Sequence, residues 1–410
     1  MQVRTIGPVK TPLWLEYGHD PRSRAFDEVL AAMPPEGREF TAPNRADGAR
    51  DANFSRSSKD DLDLRLFVWE ADGKEGGTRL RLHVYPFGVS VLETFQVAPP
   101  LFPVETCEAA IQEEAMRAYE AAAPALLAMF RKIEKRLPKS SRKRIAPDYR
   151  PRASDIEWVA RCVVLTKEEA ANDKARGFIR EWLAPTARPE EAEAIIAGDL
   201  DSSMTWLNYV VIEGDDAAIR DQFAAIRTAQ AFYAAQSILN LDAQERLVAR
   251  NDGVPTKRVE AELVDFRRKM QILRILFETQ KGFLSRQRRA KFDDVLTLWD
   301  YDDLVDNGSR IISASTDRIG ELLSKRSQSA SLFTDFILFF IALFAIVEVT
   351  LYLTEYSREM MSRPALAFED EDLSGALRFF ASIDADWMIA SAFGLAGTLV
   401  LGYLFLKRRF

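Results

Sequence analysis

The feature that most constrains this chain is an apolar run near its end. Leu332–Leu353 reads LFTDFILFFIALFAIVEVTLYL, and from Phe336 to Val347 it carries no polar residue. An α-helix needs about 20 such residues to cross the hydrocarbon core of a bilayer. A second run, Trp387 to Leu406, reads WMIASAFGLAGTLVLGYLFL and has no charge. Its Gly394, Ala396, Gly397 and Gly402 are the small residues that let helices approach closely in lipid. Two C-terminal transmembrane helices are therefore expected, within a region covering 331–406.

Lysine and arginine set the orientation. Lys325 and Arg326 precede the first run, and Lys407, Arg408 and Arg409 follow the second in a basic tail over 407–410. The loop between the runs, 354–386, holds Arg358, Arg363 and Arg378 against eight acids, among them Glu369, Asp370, Glu371 and Asp372. Both termini are expected in the cytoplasm and the acidic loop outside. The first 20 residues hold no apolar run of signal-peptide length. A multi-pass protein of the inner (plasma) membrane, with its N-terminal body on the cytoplasmic side, is the resulting expectation.

That body is large. More than 300 residues precede the first run, and 29% of the whole chain is charged, too much for a transporter built mainly in lipid. The net charge of −7 provides no basic field to recruit nucleic acid. Cys107 and Cys162 are too few for a disulfide framework and read as small buried hydrophobes. His19 and His83 stand far apart without ligand-spaced neighbours, which argues against a zinc site; His83 reads as an ordinary strand residue.

Residues 1–60 mix proline, glycine and polar residues and read as an irregular N-terminal arm. An α+β cytoplasmic domain is expected over 61–250. Leu62, Leu64, Leu66 and Val68 alternate with polar neighbours, and TRLRLHVYPFGVSVLETFQV alternates again, which predicts a hairpin. An Ala- and Glu-rich helix is predicted over 104–137, and strands over 157–166 and 204–214. Short helices fall near 167–183 and 188–198, and a long one over 217–247 begins behind Asp215 and Asp216.

A helical stalk is expected over 254–330. Val259, Leu263, Phe266, Met270, Leu273, Phe277 and Leu284 recur at steps of three and four, with Gln280 interrupting. Such a stripe fits a helix packed on a core and equally a self-associating coiled coil. Asn307 and Gly308 predict a bend before the helix continues into the membrane.

Catalytic signatures are missing from the sequence. No Walker-type loop, Gly-x-Gly-x-x-Gly turn, Gly-x-Ser-x-Gly elbow or His-Glu-x-x-His helix occurs, so no enzyme is expected. Glu348 is the most informative residue, because an ionisable group deep in a span costs about 2.5–3.5 kcal/mol and faces a helix interior or a water path. Together with Asp335, nearer the entry, it is the candidate pore-lining group. Glu369, Asp370, Glu371 and Asp372 are candidates for gathering cations outside. Arg286, Arg288 and Arg289, with Lys407, Arg408 and Arg409, are candidates for contact with anionic headgroups. The aspartates 293, 294, 300, 302, 303 and 306 match no Ca²⁺ loop. No cofactor is expected, a divalent cation being the one option left open.

The order of parts resembles the CorA-type metal transporters, which join an α/β cytoplasmic domain, a long stalk helix and two C-terminal spans with both ends inside. Those proteins carry Gly-Met-Asn at the end of the first span. Here Thr350-Leu351-Tyr352-Leu353-Thr354-Glu355 stands there and the following loop is far longer, which puts Mg²⁺ selectivity in doubt. A local resemblance also runs to the family named for the protein required for meiotic nuclear division. HVYPFGVSVLETF, Tyr233-Ala-Ala-Gln-Ser-Ile-Leu and Ile346-Val347-Glu348-Val349 occur in that family's order, but the second span does not fit.

The first resemblance implies a homo-oligomer that conducts or senses cations under control of its cytoplasmic domain. Its partners would be membrane lipid, further copies of itself and a cytoplasmic ligand or protein not yet identified. The second implies a non-catalytic membrane-anchored scaffold or sensor. A membrane-disrupting defence effector is a third class with the same topology.

Overall fold

A computed structural model describes residues 2–15, 64–71, 78–97, 104–137, 145–214, 216–248 and 256–362, with isolated positions between 375 and 398. The chain divides into two compact units, Met1–Arg318 and Ile319–Phe410.

The first unit is built on a seven-stranded mixed sheet. In chain order its strands are β1 (Gln2–Trp14), β2 (Phe67–Ala71), β3 (Arg79–Val84), β4 (Phe87–Val97), β5 (Ala160–Leu165), β6 (Ser202–Met204) and β7 (Asn208–Ile212). Their order across the sheet is β2-β3-β4-β1-β5-β7-β6. All neighbours are antiparallel except β5 and β7, which run parallel.

The central strand lies where the sequence suggested an irregular arm over 1–60; 16–63 fall outside the described residues. Gly7, Pro8 and Pro12 disguise β1. Pro8 is tolerated because its carbonyl accepts from Glu157 N–H at 3.0 Å, on the side away from β4. In an antiparallel strand the N–H and C=O of one residue point the same way, so the missing N–H takes nothing from the β4 ladder.

The long alternating run over 78–97 is two strands rather than one. Pro86 and Gly88 break it, and Gly88 takes φ +81°, a conformation that favours glycine. β3 therefore turns back along β4, and β2 extends the meander on the other side of β3.

Both faces of the sheet are covered, which is why its strands carry apolar residues on both sides. One face presents Val3, Val9, Leu80, Leu82, Val163 and Val210, all buried. Helices α1 (Val104–Arg136) and α3 (Asp173–Leu183) pack on it. Between them on the chain lies the short α2 (Lys167–Ala170), opened by a capping box of Thr166 and Glu169; α4 (Glu191–Ala197) follows α3. The other face presents Ile6, Val89, Val91, Ala160, Cys162 and Tyr209 to α5 (Asp216–Val248). Asp215 lies outside the described residues.

Helix α5 is buried on nearly every side. Phe223, Ile226 and Phe232 alternate with Ala225, Ala229, Ala231, Ala234 and Ala235, all at most 1% exposed. The alanines let α5 lie close to the sheet on one side and to two later helices on the other. These are α6 (Thr256–Phe283) and α7 (Arg286–Leu298). Each buried phenylalanine contributes roughly 1.5–3 kcal/mol by leaving water.

This packing settles the stripe on α6. Val259, Leu263, Met270, Leu273 and Leu284 are buried, the last three in the core that α5 shares. The stalk expected from residue 254 therefore does not begin there: α6 and α7 belong to the first unit. The last helix, α8 (Tyr301–Ser362), starts in that unit and continues into the second.

The predicted bend is also displaced. The helix breaks at Asp300, where φ is +51°, between α7 and α8. Asn307 and Gly308 lie inside the continuous α8. A side chain at Gly308 would run into Gln236 and Asn240 of α5, so this glycine permits close helix approach. Asn240 Nδ2 donates to the Leu304 carbonyl at 2.9 Å across the same seam.

In the second unit, Ile337–Glu359 of α8 has mean hydropathy 2.4 over its most apolar window and is long and apolar enough to cross a membrane. Its large side chains stand exposed, Phe344 at 69% and Val349 at 65%. It is the one such helix among the described residues. The second run, 387–406, falls largely outside them.

Candidate functional site

Among the described residues, a heavily charged buried cluster lies between α5 and the β1-β4-β3 part of the sheet. Direct cross-strand partners share a face. One row therefore holds Arg4, Phe95 and Arg79, and the next holds Ile6, Glu93, Arg81 and Glu70. His83 follows in the third row, opposite Val91.

Glu93 sits at the centre with its side chain fully buried. Its Oε1 accepts from Arg4 Nε at 2.6 Å and from Arg227 Nη1 of α5 at 3.3 Å. Its Oε2 lies 3.1 Å from His83 Nε2. His83 Nδ1 lies 2.9 Å from Arg65 Nη1. A guanidinium only donates, so Nδ1 is the acceptor and Nε2 carries the proton that is donated to Glu93. The histidine is thus neutral, with both ring nitrogens engaged.

Electrostatics agree with this assignment. Burial, then Arg227, push the His83 pKa down to about 3, against the opposing pull of Glu93. Burial by itself pushes Glu93 up, but Arg227, the His83 hydrogen bond and Arg4 outweigh it and hold the carboxyl well below the usual range. A histidine this acidic is unsuited to take a proton at neutral pH. Cys162, opposite Arg4 on β5, is pushed up by burial to about 12 and stays a thiol.

Arg4 is also sandwiched between aromatic rings, its guanidinium carbon 3.8 Å from the Phe223 ring centroid and 4.9 Å from that of Phe95. Arg81 and Arg79 approach the same Phe95 ring, at 5.1 and 6.0 Å, and both pair with Glu70. The site therefore combines arginines on a phenylalanine platform with only two carboxylates among the described residues.

The residues singled out in the sequence lie elsewhere. Glu348 is exposed on the apolar stretch of α8. Asp335 lies on the same helix just before that stretch. Glu369, Asp370, Glu371, Asp372, Lys407, Arg408 and Arg409 fall outside the described residues. The basic run on α7 is divided by its neighbours. Arg288 pairs with Asp221 of α5 at 2.6 Å, Arg289 stands 3.9 Å from Asp293, and Arg286 is exposed. Asp293 also meets Lys281 at 2.9 Å, and Asp294 takes a two-pronged hold from Arg188. Those two aspartates thus have cationic partners, and no metal-ligating group of three or more occurs among the described residues.

No protein-family model matches the chain, and no curated protein or solved structure matches it either.

Proposed function

We propose that this protein is a membrane-anchored homo-oligomer of CorA-like build that conducts or senses cations under control of its α+β domain. The observation that carries this reading is α8. A single helix begins on the core of the first unit, at Tyr301, and includes the apolar stretch Ile337–Glu359 with Glu348 within it. A ligand-induced shift of the domain has a direct mechanical route along such a helix. One such span cannot enclose a pore, so conduction requires several copies with Glu348 turned toward a shared axis. The test is cation flux into liposomes holding the purified protein. Glu348→Gln is expected to change flux while leaving the oligomer intact, and equal flux in both proteins would reject the role of this residue.

A second reading, a membrane-anchored sensor or scaffold without conduction, is favoured by the arginine network around Glu93. That network lies wholly in the first unit and needs no pore. Flux at background level together with ligand binding by the α+β domain would select it.

A further inference from the structure

We propose that the outer end of the Glu93 network binds a small phosphorylated anion, a diphosphate or nucleotide-type ligand held by Arg4, Arg79 and Arg81 beside the Phe95 ring. The site deepens the sensor reading above, by naming the class of ligand that the α+β domain would detect.

Arg4 and Arg227 share the one carboxylate of Glu93, and Arg79 and Arg81 share the one carboxylate of Glu70. Among the described residues these four guanidiniums meet only two carboxylates, which leaves two positive charges among them on one face of the sheet. For the buried pair, Arg4 and Arg227, a charge in excess of its partner is costly, and an anion that reaches Arg4 lowers that cost. A single terminal phosphoryl group carries about −1.5 to −2 at neutral pH, enough for one end of such a ligand to take up that surplus.

Access follows from exposure. The side chains open in order from inside to out: Arg227 12%, Arg4 16%, Arg81 30% and Arg79 48%. Glu93 holds both inner arginines, and Arg4 is also stacked on Phe95 and Phe223, so their rotamers are already paid for before a ligand arrives. The outer two reach solvent and can present their planar forks to phosphoryl oxygens, a geometry that lysine does not supply. The Phe95 ring, half-buried between Arg4 and Arg79 on neighbouring strands, holds these groups at a common level. His83 stays neutral behind Glu93 and adds no competing charge.

The test uses the full-length protein in detergent. Pyrophosphate and ATP are titrated in separate arms, with sulfate at matched ionic strength as the control, and the melting midpoint and the heat of binding are read. A saturable rise of the midpoint with pyrophosphate or ATP, absent with sulfate, is expected. Response to pyrophosphate alone assigns a bare phosphate site, and response to ATP alone assigns a nucleotide. Arg79→Ala and Arg81→Ala are expected to weaken binding by about tenfold or more. Arg117→Ala, which removes an exposed arginine from α1, should leave it unchanged. Should either alanine variant fail to fold, Arg79→Lys keeps the charge and loses the fork, and is expected to weaken binding as well. The proposal is overturned if neither phosphate ligand binds below about 1 mM, if sulfate acts equally, or if the arginine variants bind like the parent. None of these readouts involves flux, so failure here leaves the conduction test standing, and the reverse.

Discussion

Arg227 reaches Glu93 from the opposite layer of the fold: its Nη1 on α5 lies 3.3 Å from Oε1 on β4, across 134 residues of chain. This pair ties the buried helix to the sheet at the point where Arg4 and His83 also converge. Removing the carboxylate strands two guanidiniums that are at most 16% exposed. Glu93→Gln is expected to lower stability by about 3–5 kcal/mol. Adding Arg227→Met should recover part of that loss, measured by thermal or denaturant unfolding followed by tryptophan fluorescence.

The same network makes stability depend on pH. His83 is depressed to about 3 in the folded chain, so below its ordinary value of 6.5 the unfolded chain binds a proton that the folded chain refuses. Its contribution is complete above pH 6.5 and is lost as pH falls toward 3. The slope is at most about 1.4 kcal/mol per pH unit. Glu93 works in the same direction, with its loss beginning only below its ordinary value of 4.5. Asp155 and Glu157, both raised by burial, act in the opposite sense. The difference between parent and His83→Gln isolates the histidine: between pH 6.5 and 4.5 the variant should show the flatter curve. Parallel curves would refute the neutral, buried state assigned to His83.

Gly308 offers a packing test. A valine there meets Gln236 and Asn240 on α5 and disturbs the bond from Asn240 to the Leu304 carbonyl. Gly308→Val should cost about 1–3 kcal/mol. Gly320→Ala lies further along α8 with open space around it and should be neutral or slightly stabilising, since alanine is the better helix former. Melting midpoints of the two variants decide this.

Whether membrane attachment rests on the apolar stretch of α8 can be checked by fractionation. A chain ending at Arg318 keeps the whole first unit, with the sheet and helices α1 to α7. It should leave the membrane fraction after carbonate washing, whereas the full chain should remain in the pellet. Retention of the shortened chain would point to a further membrane contact on the first unit.

Much of this was legible in the sequence. The helices over 104–137 and 217–247 stand within a residue of α1 and α5, because long amphipathic or alanine-rich segments announce themselves by period. Strand β1 was hidden by its prolines, whose placement is harmless only once the carbonyl of Pro8 is known to face Glu157. The stripe on α6 was visible, but what covers it was not, since a core seam and a coiled-coil seam have the same spacing. The Glu93 network left a signal that could have been read: a glutamate on the inward side of an apolar strand and an arginine within an alanine-rich helix each interrupt a buried pattern. That they meet depends on the order of the strands, which no local period encodes.

The proposed conduction requires self-association, because a chain with so few spans encloses a path only as a ring of copies. The deciding measurement is the mass of the detergent-purified full-length protein by multi-angle light scattering. A discrete assembly of about four subunits or more is predicted, with Glu348 of each copy available to a common axis. A monomer or dimer would contradict the conduction reading and leave the α+β domain, with its arginine-rich face, as the working part of the protein.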